Sequence, residues 1–171
     1  DLDGDGVPEI AVGASKDDTG GSDRGAVHVL FLKPDGSVKS TTTIASELNG
    51  GPVLGDSDLF GHAVASVGEL DGNGVVDLIV GASEDSTVGT ERGAAHVLLL
   101  EFDTTVSVVS SVRIDGTTEN GPTLADDDLF GSSLGSAGDL NGDGVVDLAI
   151  GARKDVTGGD DRGAVHVLFL T

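Results

Sequence analysis

The chain has 171 residues, with 30 acidic against nine basic side chains and a formal net charge of −21. That imbalance argues against nucleic acid as a partner, because affinity for phosphates rests on Lys and Arg. The absence of Cys removes disulfides, thiolate metal sites and cysteine nucleophiles, and no apolar run approaches the length of a membrane span. With no Trp, Tyr or Met and only five Phe, the core must be built from Val, Leu, Ile and Ala. Twenty-eight Gly imply many tight turns. A compact state this acidic repels itself unless bound cations offset the charge, and clustered acids are the sign of such binding.

The acids are clustered, and the clusters recur. Residues 1–32, 69–100 and 139–170 align without a gap, with successive starts 68 and 70 residues apart. Segments 33–68 and 101–138 lie between them, and both carry the pattern DLFG followed by small and apolar residues. In the middle unit, Gly61 to Leu70 is small and apolar and predicts a first strand. An acidic loop follows, then a second strand over Asp77 to Ala82, a polar Gly-rich loop, and a third strand over Gly93 to Leu100. Val106 to Ile114, rich in Val, Ser and Thr, predicts a fourth, more exposed strand. No segment carries a capped helical period. The expected class is all-β, in blades of four antiparallel strands as in a propeller.

Each copy opens on an acidic loop, spanning 1–9, 69–77 and 139–147. Oxygen side chains alternate in each: Asp1, Asp3 and Asp5; Glu69, Asp71 and Asn73; Asp139, Asn141 and Asp143. Gly6, Gly74 and Gly144 follow, and Glu9, Asp77 and Asp147 close the sets. Calcium takes six to eight oxygens at flexible distances, and side chains at positions 1, 3 and 5 of a tight turn can converge on one point. The glycine lets the chain reverse, so that the carbonyls of Val7, Val75 and Val145 can join them, while the ninth-position carboxylate closes the cage. An EF-hand is excluded, because its twelfth position needs Glu and here holds Val12, Val80 and Ile150. Magnesium prefers a small octahedral shell with several waters, and zinc wants Cys or His. Asp, Asn and Gly also mark ordinary turns. Turns alone, however, would not require oxygen side chains at alternate positions in three in-register copies. Crowded carboxylates without metal should open the loops, so folding and calcium binding are expected to be coupled.

Other recurring residues carry structural expectations. His28, His96 and His166 share one strand position, and repeat geometry spreads copies apart, so half-buried strand side chains are expected rather than ligands. His62 is assigned nothing. Arg24, Arg92 and Arg162 each follow an acid (Asp23, Glu91 and Asp161), which predicts local ion pairs or bonds to loop carbonyls. Asp17, Asp85 and Asp155, each with Thr two residues on, should shape the loop between the second and third strands. No nucleophile-elbow pattern is present, and the chain is read as non-enzymatic.

The stretches LFGHAVASVGELDGNGVVDLIVGA (59–82) and LFGSSLGSAGDLNGDGVVDLAIGA (129–152), followed by RGAAHVLLL and RGAVHVLFL, resemble FG-GAP repeats. These repeats form the blades of the integrin alpha-subunit β-propeller and of many bacterial surface proteins. The resemblance covers nearly the whole chain. It implies that the loop joins the first and second strands of a blade and binds calcium at Asp1, Asp3, Asp5, Val7 and Glu9. The matching positions are Glu69, Asp71, Asn73, Val75 and Asp77 in the second copy, and Asp139, Asn141, Asp143, Val145 and Asp147 in the third. Three Ca²⁺ sites follow. Glu69 in place of the usual Asp, and the neutral Asn73, point to the second site as the weakest. The family's strand tyrosine is replaced by His28, His96 and His166.

The units expected are a partial blade over 1–58 lacking its first strand, a complete blade over 59–128, and a partial blade over 129–171 lacking its fourth. About two and a half blades result, open or completed by other chains, since open edges invite pairing. The expected function is a calcium-binding structural or adhesive module, extracellular or at the cell surface, that self-associates into a fibre or ring or meets other surface proteins. The alternatives are the non-catalytic propeller portion of a larger secreted enzyme and a lectin-like binding propeller; scarce aromatics count against the latter. Glycans have weak support: Thr41–Thr43 and Thr117–Thr118 are candidate O-linked positions, and no N-x-S/T sequon exists.

Overall fold

A computed structural model describes residues 1–171 and contains ten strands and no helix. β1 (Ile10–Ala14), β2 (Ala26–Leu32) and β3 (Val38–Ala45) form one antiparallel sheet in sequence order. β4 (Phe60–Gly68), β5 (Asp77–Ala82), β6 (Ala94–Phe102) and β7 (Val106–Ile114) form a four-stranded antiparallel meander. β8 (Phe130–Gly138), β9 (Asp147–Ala152) and β10 (Ala164–Leu168) form the third sheet. These sheets are β-propeller blades, and they do not close into a ring. β5 and β7 have the predicted limits; β6 runs two residues further, because Glu101 and Phe102 pair with Ser107 and Val106 beyond a bulge at Leu99/Leu100.

The core lies between blades rather than inside any one of them. All six residues of β5 are buried, as an apolar strand with neighbours on both faces should be. Its alternation divides them: Leu78, Val80 and Ala82 pack with Val27, Val29 and Phe31 of the first blade, and Ile79 packs with Leu148 and Ile150 of the third. Phe60 and Phe130, the aromatics of the two DLFG patterns, are each fully buried, one in either cluster.

The junctions between blades are made by backbone. The Phe60 N–H donates to the Arg24 carbonyl at 2.9 Å, and Phe130 to that of Arg92 at 2.9 Å. Gly25 and Phe60, like Gly93 and Phe130, pair as short parallel bridges. A Cβ at Gly13 would overlap the carbonyl oxygen of Gly61, and one at Gly81 would overlap that of Gly131. The Gly-Ala of each of the first two blades thus presses directly on the Phe-Gly that opens the next.

Arg24 and Arg92 correct the expectation of local ion pairs or bonds to loop carbonyls, because their partners are distant in the chain. Arg24 reaches Asp56 and Arg92 reaches Asp126, both at 2.7 Å, across the junction into the linker before the next blade. Asp23 and Glu91 instead adopt φ of 48° and 44°, and their carbonyls accept the N–H groups of Leu59 and Leu129. The aspartates follow expectation: Asp17, Asp85 and Asp155 accept the N–H of Thr19, Thr87 and Thr157 at 2.8, 2.8 and 2.7 Å.

The histidines are not equivalent. His28 meets Thr43 at 2.9 Å and His166 meets Asp155 at 3.1 Å, both half-buried as expected. His96, in the blade covered on both faces, is only 2% exposed, and neither ring nitrogen has a hydrogen-bond partner. It stands edge-on to Phe60, ring centres 5.7 Å apart. Burial pushes its pKa down to about 4, so the folded protein holds it neutral.

Two outcomes are expected. Gly81→Ala should destabilise by about 1–3 kcal/mol, since backbone at a packed junction must move; Gly135→Ala, whose Cβ would meet nothing within 4 Å, should be near neutral, and thermal melting compares them. The stability contributed by neutral His96 is complete above its unfolded pKa of about 6.5 and is lost as pH falls from there towards 4. His96→Phe should therefore lose less melting temperature than the wild type between pH 7 and pH 4, measured in chelator.

Candidate metal centres

Each acidic loop joins the first two strands of a blade or precedes the second, and its path is set by its own side chains. At position 3, Asp3 Oδ1, Asp71 Oδ1 and Asn141 Oδ1 accept the N–H two residues on, at 3.2, 3.1 and 2.9 Å. At position 5, Asp5, Asn73 and Asp143 do the same for Val7, Val75 and Val145, at 2.9, 2.6 and 2.8 Å. Position 1 folds back over the turn: Asp1 accepts the Gly6 N–H at 2.9 Å, and Asp139 accepts Gly142, Asp143 and Gly144. These bonds stabilise the charged form of Asp139 and hold its pKa below the usual range, the Gly144 N–H most of all. The longer Glu69 reaches the N–H groups of Gly72 and Asn73.

Position 9 anchors the loop to the blade. Asp77 is fully buried; its Oδ2 accepts the Leu70 N–H at 2.7 Å and its Oδ1 the Leu100 N–H at 2.8 Å. Asp147 repeats this with Leu140 at 2.8 Å and Leu170 at 3.2 Å. Burial raises the Asp77 pKa, against the lowering effect of its Leu100 and Leu70 bonds. Glu9 differs. Its Oε2 accepts the Leu2 N–H, while Oε1 is buried with no hydrogen-bond partner in a side chain only 4% exposed.

Carboxylate oxygens of Asp1, Asp3, Asp5 and Glu9 lie within 4.8 Å of one another, and so do those of Glu69, Asp71 and Asp77. The third loop does not gather its acids this way: Asp143 Oδ2 turns to the Asn141 amide at 2.9 Å, and both oxygens of Asp139 serve backbone N–H groups. The carbonyls of Val7, Val75 and Val145 accept no backbone hydrogen bond. Oxygen-only donors, the orphaned buried Glu9 oxygen and these free carbonyls fit a hard divalent cation such as calcium. Each carboxylate oxygen that accepts one N–H keeps a second lone pair for a metal.

Lys39, on β3, had no motif to mark it. Its ammonium donates to Asp3 Oδ2 at 2.7 Å and to Asp5 Oδ2 at 2.9 Å. The hydrogen bond to Lys39, then that from the Val7 N–H, lowers the Asp5 pKa, and the two acids raise that of Lys39. Lys39 lies 34 residues from Asp5 in a Thr-rich strand and has no counterpart in the middle unit, so repeat comparison passes over it.

A family model of the FG-GAP repeat matches residues 1–30 and 130–168. Integrin alpha-PS5 of Drosophila melanogaster is 34% identical over 156 residues, covering 89% of this chain and 14% of that protein. Human integrin alpha-6 is 31% identical over 130 residues, covering 76% of this chain and 10% of the relative. Integrin alpha-4 of Xenopus laevis is 29% identical over 152 residues, 89% of this chain and 13% of the relative. The chain thus spans about a tenth of the length of the curated relatives it matches. The middle copy, outside the matched residues, aligns without a gap to both outer copies and contributes the complete four-stranded blade. Together, matched motifs, shared blade junctions and relatives show that the chain is built from FG-GAP repeats of the integrin alpha type.

Proposed function

We propose that this chain is a calcium-binding, non-enzymatic structural or adhesive module of the cell surface or extracellular space. Its three loops each take one Ca²⁺, through Asp1, Asp3, Asp5, Val7 and Glu9 in the first and the matching residues in the others. The observation that carries this reading is the convergence of acids in the first two loops, with a buried Glu9 oxygen that has no other partner. The ion would draw the turn residues of each loop onto the ninth-position carboxylate, which in the second and third loops is bonded into the blade. Millimolar extracellular calcium suits open loops of this kind, with dissociation constants of about 10⁻⁴ to 10⁻³ M.

The outer faces of the array support a partner of like architecture. Ile10 and Val12 on β1 are 47% and 41% exposed, whereas their counterparts Leu78 and Val80 are 8% and 0%. Val165 and Val167 are 68% and 45% exposed, against 0% and 6% for Ala95 and Val97. Further blades, from the same polypeptide or another copy, cover these faces. Light scattering with calcium tests the second source: a stable monomer at high concentration counts against self-association.

Calorimetric melting tests the metal. At 1 mM calcium and a dissociation constant of about 10⁻⁴ M, each occupied site adds about 1.4 kcal/mol, so chelator should lower the melting temperature. Asp71→Asn keeps the oxygen that accepts the Asn73 N–H. It should abolish most of one site's increment and leave chelated stability within about 0.5 kcal/mol. Equal melting with calcium and with chelator would sink the reading.

A further inference from the structure

The first loop differs from the others in how its outward oxygens are satisfied. In the second loop, Asp71 Oδ2 accepts the Asn73 amide at 3.2 Å, and in the third Asp143 Oδ2 accepts the Asn141 amide at 2.9 Å. The first loop has Asp at positions 1, 3 and 5 and no amide to play this part. The ammonium of Lys39 stands there instead, on Asp3 Oδ2 and Asp5 Oδ2. Charge follows the same pattern. The four carboxylates of the first loop less one ammonium carry −3, as do the three carboxylates of each other loop.

Lys39 reaches this place from the outer strand of its blade. Val38 pairs with Leu32 and Val108 with Leu100, so the position equivalent to Lys39 in the middle blade is Val109, which is half exposed. The lysine side chain is 44% exposed, while Asp3 beneath it is 9% exposed, so the ammonium caps the loop from the solvent side. The capped oxygens are two of those a divalent ion in this loop would use.

We infer that Lys39 is a resident cation of the first loop, holding Asp3 and Asp5 together until a divalent ion displaces it. This rests on the calcium reading proposed above. The loop exchanges one cation for another, so it stays ordered without metal and binds metal more weakly than its four acids alone would. A monovalent ammonium neutralises one charge where the incoming ion neutralises two, so the exchange still favours calcium when calcium is abundant. The lysine stem is long and rotatable and can swing into solvent.

Calcium titration calorimetry and melting in chelator test this together. Lys39→Met should tighten first-loop calcium binding about three- to tenfold, as expected for removing two exposed ion pairs that compete with the metal. The same change should lower the melting temperature in chelator, because Asp3 and Asp5 then repel unscreened. A purely structural lysine would lower melting in both conditions and leave affinity unchanged, which overturns the inference. In an Asp3→Asn background, where only the pair with Asp5 remains, the affinity gain should shrink, assigning it to this loop, and an undiminished gain counts against the inference. Val109→Lys supplies an independent arm: a lysine placed over the second loop should weaken calcium there by a similar factor, and unchanged binding counts against the mechanism. Calcium heat in the wild type with no effect of either substitution defeats this inference alone; no calcium heat in any of the proteins defeats the underlying reading as well.

Discussion

A carboxylate buried at the foot of the second and third acidic loops ties each loop to its blade. Asp77 bonds the N–H of Leu70 at the start of the loop and that of Leu100 near the end of the third strand. Two main-chain donors on a buried carboxylate offset much of its desolvation, yet burial still wins and its pKa is raised. A nearby divalent ion would complete the compensation. That is why the fold and the proposed site cannot be separated: the group that closes the cage also fixes where the loop leaves the sheet. Glu9 shows the same dependence from the other side, since one oxygen bonds Leu2 and the other is left buried and unpaired.

Blade stacking supplies the rigid frame. β5 has apolar neighbours on both faces, so its side-chain alternation joins two cores rather than separating a core from solvent. The close approach of Gly13 to Gly61 and of Gly81 to Gly131 sets the spacing between sheets, and no side chain can stand between them. Arg24 and Arg92 then cross each junction to Asp56 and Asp126. These pairs are exposed and contribute little stability, but they fix the linker against the preceding blade. The loops consequently sit at matching positions on successive blades.

Much of this was legible in the sequence because it was local. The alternating oxygens, the glycine after them and the apolar DLIVGA strand all act within a few residues, and repetition separated them from chance. What escaped notice was contact between residues far apart in the chain. Arg24 and Asp56 are 32 residues apart, and Lys39 and Asp3 are 36 apart, and no local pattern signals either meeting. Repetition also misled. It treats His28, His96 and His166 as one position, yet only His96 is shut in on every side, because only its blade has a neighbour on each face.

Net charge by itself is weak support for metal binding. The three loops hold ten of the chain's 30 acids, and six positive charges from three divalent ions would take −21 only to −15. Most of the acidity therefore lies elsewhere, largely on linkers and turns, where part of it caps N–H groups, as at Asp17 and Asp85, or meets Arg, as at Asp56 and Asp126. What distinguishes the loops is that their carboxylates are brought together where repulsion is greatest, and each loop already recruits an N–H donor to relieve it. The ammonium of Lys39 and the amides of Asn73 and Asn141 are three placements of the same remedy, from two kinds of donor. Only the ammonium carries a full charge, so under the calcium reading proposed above the first loop alone would have to give up a cation to gain one. On that reading, loops that are equivalent in backbone would differ in metal affinity through a single residue on the outer strand.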